Sequence, residues 1–67
     1  MITVTINGNR VELQQPMTIR ELLETTHVPP NYLAVEINAD VVPRENHVVQ
    51  MVNDGDCVEV VTLVGGG

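Results

Sequence analysis

The stretch Cys57-Val58-Glu59-Val60-Val61-Thr62-Leu63-Val64-Gly65-Gly66-Gly67 decides how the chain is read. From Cys57 to Val64 it is nearly continuously apolar and rich in β-branched residues, interrupted by Glu59 and Thr62. A strand of this composition belongs in the middle of its sheet, with a neighbour on each side. The turn-forming run Asn53-Asp54-Gly55-Asp56 precedes it, and three glycines follow it.

A central last strand needs partners, and the beginning of the chain supplies them. Ile2, Val4 and Ile6 alternate with Thr3 and Thr5, the period of a half-buried strand. Asn7-Gly8 offers the positive φ angles of a tight hairpin, and Val11 and Leu13, alternating with Glu12 and Gln14, form the returning strand. If the last strand lies beside the first, the two run parallel, and a parallel pair requires a long crossover. The middle of the chain contains a helix to make it. Thr18-Ile19-Arg20-Glu21 is a capping box, in which the Thr18 hydroxyl accepts from the Glu21 N–H and the Glu21 carboxylate reaches back to Thr18. Ile19, Leu22, Leu23 and Thr26 share one helical face, so a helix is expected over 19–26, stopping before Pro29-Pro30. Leu33, Val35 and Ile37 alternate with Ala34 and Glu36 as a third strand, and Asn38-Ala39-Asp40 is turn chemistry. Val41-Val42 is a short strand that Pro43 ends or holds at an edge, and 44–52 reads as a loop with a short helical or extended piece. The sum is an α+β fold of four to five strands in a mixed sheet packed on one main helix, which is the β-grasp (ubiquitin-like) architecture. The expected organisation is a single domain over 1–67 with a flexible glycine tail at 65–67.

Composition sets the limits of function. Nine acids against three arginines, with no lysine, give a formal net charge of −6. Such a chain is poorly matched to nucleic acid or to an anionic membrane surface, and better matched to a protein partner with a basic patch. Apolar residues make up 43%, but there is no Trp or Phe, so the core must be aliphatic. Cys57 is the single cysteine, which excludes an internal disulfide and, with no signal-like apolar run at the start, points to the cytoplasm.

Catalytic constellations are missing. There is no serine for a Ser-based triad, no glycine-rich phosphate loop and no metal-ligand spacing. His27 and His47 stand apart, each read as a solvated or hydrogen-bonded loop histidine, and Cys57 as a structural or incidental thiol. What stands out is the tail. Glycines have no Cβ, so Gly65-Gly66-Gly67 forms a thread thin enough to enter another protein's channel and present the Gly67 carboxylate there. The competing view is a frayed end.

Several of these features together resemble the sulfur carrier of thiamine-thiazole biosynthesis, the ThiS-like family. They are Val42-Pro43-Arg44-Glu45, Asp54-Gly55-Asp56 and the ending Leu63-Val64-Gly65-Gly66-Gly67, with the Asn7-Gly8 hairpin and the Thr18-Ile19-x-x-Leu22-Leu23 helix start. Molybdopterin-type sulfur carriers share the fold and the Gly-Gly end but tend to carry aromatic and proline residues before the tail, where this chain has Val60-Val61-Thr62-Leu63. One departure is Asn38-Ala39-Asp40, where many relatives place a glycine.

The resemblance implies a carrier, not an enzyme. It implies that an E1-like adenylyltransferase uses Mg-ATP to join AMP to the Gly67 carboxylate, and that a cysteine desulfurase or other persulfide donor supplies sulfur to make a thiocarboxylate. Thiazole synthase then takes the sulfur, no cofactor is bound by the carrier itself, and the free carrier is a monomer. Docking to partners is expected on the outer face of the last strand, with Val58 and Val60 turned to the core and Val61 and Leu63 turned out. Glu59 and Asp56 would form an acidic rim, with Arg44 as a weaker contact. A ubiquitin-like protein modifier, a molybdopterin-type sulfur carrier and a plain β-grasp interaction module remain the other functions open to this sequence.

Overall fold

The computed structural model describes residues 1–25 and 32–62. Strand β1 (Ile2–Ile6) turns at Asn7-Gly8 into β2 (Asn9–Leu13), pairing antiparallel with Ile2 opposite Leu13 and Ile6 opposite Asn9. Asn7 at φ 50° and Gly8 at φ 83° give the two left-handed residues that a two-residue hairpin with the sheet's own twist requires. A two-residue strand β3 (Met17–Thr18) leads into helix α1 (Ile19–Leu23). Beyond the helix come β4 (Leu33–Ile37), β5 (Asp40–Val42), a 3₁₀ turn at Arg44–Asn46, β6 (Met51–Val52) and β7 (Cys57–Thr62).

The main sheet has the order β2-β1-β7-β4-β5. The last strand is central, as its apolar composition predicts. It runs parallel to β1, with Thr5 opposite Cys57, and antiparallel to β4, with Leu33 opposite Thr62 and Ile37 opposite Val58. Strand β5 is an edge, and Pro43 follows it. The helix lies in the crossover between the two halves and covers one face. Ile19, Leu22 and Leu23 are buried there with Val4, Leu33, Val35, Ile37, Val52 and Val58, an aliphatic core without an aromatic ring.

One expectation is revised and two are made more specific. The helix, expected over 19–26, ends at Leu23, with Glu24 as its C-cap. The Leu22 carbonyl accepts both the Thr25 N–H (3.1 Å) and the Thr25 hydroxyl (2.6 Å), a tightened turn that closes the helix locally, ahead of the prolines. Thr26 and His27 lie outside the described residues. The aperiodic stretch 44–52 contains both of its expected pieces, and its strand β6 pairs with β3 in a second, two-stranded sheet that alternation did not reveal. The segment leading into β6 serves the helix start, because the Gln50 and His47 carbonyls accept the Ile19 and Arg20 N–H groups that the helix itself leaves unpaired. Of the two readings for His47, the hydrogen-bonded one holds. It is 4% exposed, and its ring Nε2 donates to the Val42 carbonyl at 3.1 Å.

Candidate functional site: the central strand and its open face

Strand β7 is where the chain heads for its glycines, and three side-chain clamps hold it. At its entry, the Thr3 N–H donates to the Asp54 carboxylate (2.7 Å) and the Gly55 N–H donates to the Thr3 carbonyl (2.8 Å), tying the turn to β1. Next, the Asn38 amide bridges two elements: its oxygen accepts the Cys57 N–H (2.9 Å) and its nitrogen donates to Asp56 (3.1 Å). Third, the Asn7 side chain lies against Val60. It donates to the Val60 carbonyl (3.0 Å) and accepts the Val60 N–H (2.7 Å), replacing backbone where β1 has already ended. On the other side, pairing with β4 runs to Thr62. The exit of β7 is therefore fixed on both sides close to its end.

The two faces of β7 differ as expected. Val58 is buried and Val60 packs against the core, whereas Glu59 and Val61 point outward, Val61 being 55% exposed. Asp56 is not a free rim acid: its carboxylate oxygens accept the Asn53 N–H (2.8 Å) and the Asn38 amide. Arg44 is exposed at the start of the 3₁₀ turn, outside the depression that Val61 and Glu59 line. Leu63 and Gly65, Gly66 and Gly67 lie outside the described residues.

The register brings further residues to the same face. Ala34 lies opposite Val61, Glu36 opposite Glu59, and Val41 opposite Glu36. With Ala39 and Cys57 they line a shallow depression of about 350 Å³ on the uncovered side of the sheet. Sequence reasoning placed Val61 and Glu59 there but missed Glu36 and Val41. The alternation of β4 carried the signal for Glu36, since Val35 and Ile37 face the core; only the strand pairing shows that it meets Glu59.

Comparison with known proteins decides the family, because the profile described as the ThiS family matches residues 4–67. The chain belongs to the ThiS family. This ThiS-family chain is similar to a thiamine biosynthesis protein (ThiS) from Geobacter metallireducens, whose crystal structure superposes with a TM-score of 0.86 at 32% identity, covering 98% of this chain and 100% of that one. An uncharacterized protein, ycf40, of Porphyra purpurea is 33% identical over 66 residues, 98% of this chain and 93% of that protein. A thiazole synthase of Paramagnetospirillum magneticum is 38% identical over 64 residues, which is 96% of this chain but 20% of the synthase. The chain thus spans one fifth of the length of that relative. Family and structural likeness together support a sulfur carrier in thiamine biosynthesis, not itself a catalyst. No helix among the described residues is long and apolar enough to cross a membrane.

Proposed function

We propose that this ThiS-family chain carries sulfur on the carboxyl of Gly67. The observation that carries the proposal is the match to the ThiS family through residue 67, on a chain whose clamped central strand leads into Gly65-Gly66-Gly67. Five residues follow Thr62, enough to place the carboxyl at most roughly 17 Å beyond the sheet. That reach and the absence of Cβ atoms in the tail suit insertion into an enzyme's site, while the side-chain carboxylates stay on the rigid body.

The chemistry belongs to the partners. An E1-like adenylyltransferase joins the Gly67 carboxylate to AMP from Mg-ATP and releases pyrophosphate. The terminal sulfur of a persulfide, made by a cysteine desulfurase or another donor, attacks the acyl carbon and expels AMP. Cleavage of the resulting acyl disulfide by a thiol leaves the thiocarboxylate, and thiazole synthase takes its sulfur. Support for the synthase as acceptor comes from the matching segment within the Paramagnetospirillum thiazole synthase. Partners dock on the outer face of β7 at Val61 and Glu59, with Leu63 in the segment that follows and Arg44 as further contacts. The carrier holds no cofactor of its own and works in the cytoplasm.

The test is intact mass after incubation with an E1-like adenylyltransferase, Mg-ATP and a persulfide source, with a deletion of Gly66-Gly67 as control. The expected result is the exchange of one oxygen for sulfur in the full chain and none in the deletion. If an enzyme that activates the Geobacter metallireducens protein leaves this chain unmodified, the carrier function is wrong.

A further inference from the structure

Four acidic side chains of this protein have local duties. Glu21 caps α1, Glu24 sits 3.8 Å from Arg20, Asp54 holds β1, and Asp56 holds Asn53 and Asn38. Glu36 and Glu59 do not. They stand directly opposite each other on β4 and β7, exposed, and among the described residues neither has a hydrogen-bond or ion-pair partner. Like charges directly opposite on one sheet face work against folding. Around them the face is apolar: Val41 is 70% exposed and Val61 55%, with Ala34 and Ala39 between. Valines left in water beside an uncompensated pair of carboxylates suit an occupant that brings both a positive charge and hydrocarbon.

We propose that the open face of β5, β4 and β7 receives an arginine or lysine side chain of the adenylating enzyme, with its charged head between Glu36 and Glu59 and its aliphatic stem over Val41 and Val61. This rests on the sulfur-carrier function and names the chemistry of the surface that meets the activating partner. A long basic side chain meets both demands of the face, because its methylenes cover apolar surface while its head stays polar. Guanidinium and ammonium groups also gain from a second carboxylate. The net charge of −6 steers a basic partner surface toward the carrier. A metal ion is a poorer fit, since no group of three or more His, Cys, Asp or Glu gathers among the described residues.

The proposal predicts effects of opposite sign in the free and the engaged protein. In the free protein, Glu36→Gln or Glu59→Gln removes the opposition and raises the urea midpoint. In adenylation followed by pyrophosphate release with the E1-like enzyme, the double variant raises KM about tenfold at low salt with kcat unchanged. Its KM also loses most of the salt dependence seen in the wild type. Val61→Asp raises KM as well. If the double variant is activated with wild-type KM, or if it loses stability along with activation, the proposal is overturned and the carrier function stands. If sedimentation shows a dimer of the free chain that Glu36→Gln dissolves, the occupant is a second copy and the proposal is equally overturned. If the wild type is not activated by an enzyme that activates the Geobacter protein, the carrier function and this proposal fall together.

Discussion

Ala39 holds a backbone conformation that suits another residue. In the turn between β4 and β5, Asn38 has φ 51° and Ala39 has φ 73°. Asparagine tolerates the left-handed region because its short amide bonds locally, and here that amide also ties β7. Alanine has no such compensation, and its Cβ crowds the following carbonyl. Ala39→Gly should therefore stabilise the protein by about 1 kcal/mol, after allowing for the entropy glycine gains when unfolded. Urea denaturation measures this directly. The same scale governs Glu21. The Thr18 N–H, first, and the Thr18 hydroxyl, second, donate to its carboxylate and hold its pKa below the usual value. A group depressed on folding contributes stability above its unfolded pKa and loses it as pH falls through the folded pKa. Acidification from neutral pH should then destabilise the wild type through the carboxylate range. Glu21→Gln should be the less stable protein at pH 7 and should show a shallower loss on the acid side, read from urea midpoints across pH.

At the scale of elements, what composition and period specify is what the backbone does locally. The hairpin of β1 and β2, the start of α1, the length of β4 and the central place of β7 all follow from alternation, caps and turn residues. Two kinds of feature do not. Strands of two residues, β3 and β6, are too short to show a period, so their pairing emerges only when the chain closes on itself. The clamps on β7 are equally invisible, since Asn7 and Val60 are 53 residues apart and Asn7 already has a sufficient local reason in its hairpin. Replacing Asn7 by glycine separates the two roles. The left-handed turn is kept, but both hydrogen bonds to Val60 are lost, at a cost of about 1–2 kcal/mol. Hydrogen exchange should show the Val60 amide losing protection by more than the amides of β4, because the loss is local to the exit of β7. Equal loss everywhere would mean that the clamp has no special hold on that strand.

For the whole molecule, the candidate site divides between the described sheet and residues 63–67, which lie outside the described residues. The tail as a candidate is read from the sequence because three glycines after an apolar strand are conspicuous, and the family match extends over them. The open face of the sheet was only half legible: the outward turn of Val61 and Glu59 follows from strand alternation, but their company of Glu36 and Val41 depends on which strands are neighbours. Burial of His47 was not legible at all, since nothing local distinguishes a loop histidine that closes on Val42 from one in water.

The placement of β7 between β1, parallel to it, and β4, antiparallel to it, also has a mechanical consequence. A partner that grips the glycines and pulls loads the protein along the axis of β7. Its ladders on both sides lie along that axis, so they resist together in shear and do not peel open one bond at a time. The Asn7 clamp adds resistance at the end where the pull begins. Under the proposed function, a partner enzyme pulling on the last residues would leave the sheet intact.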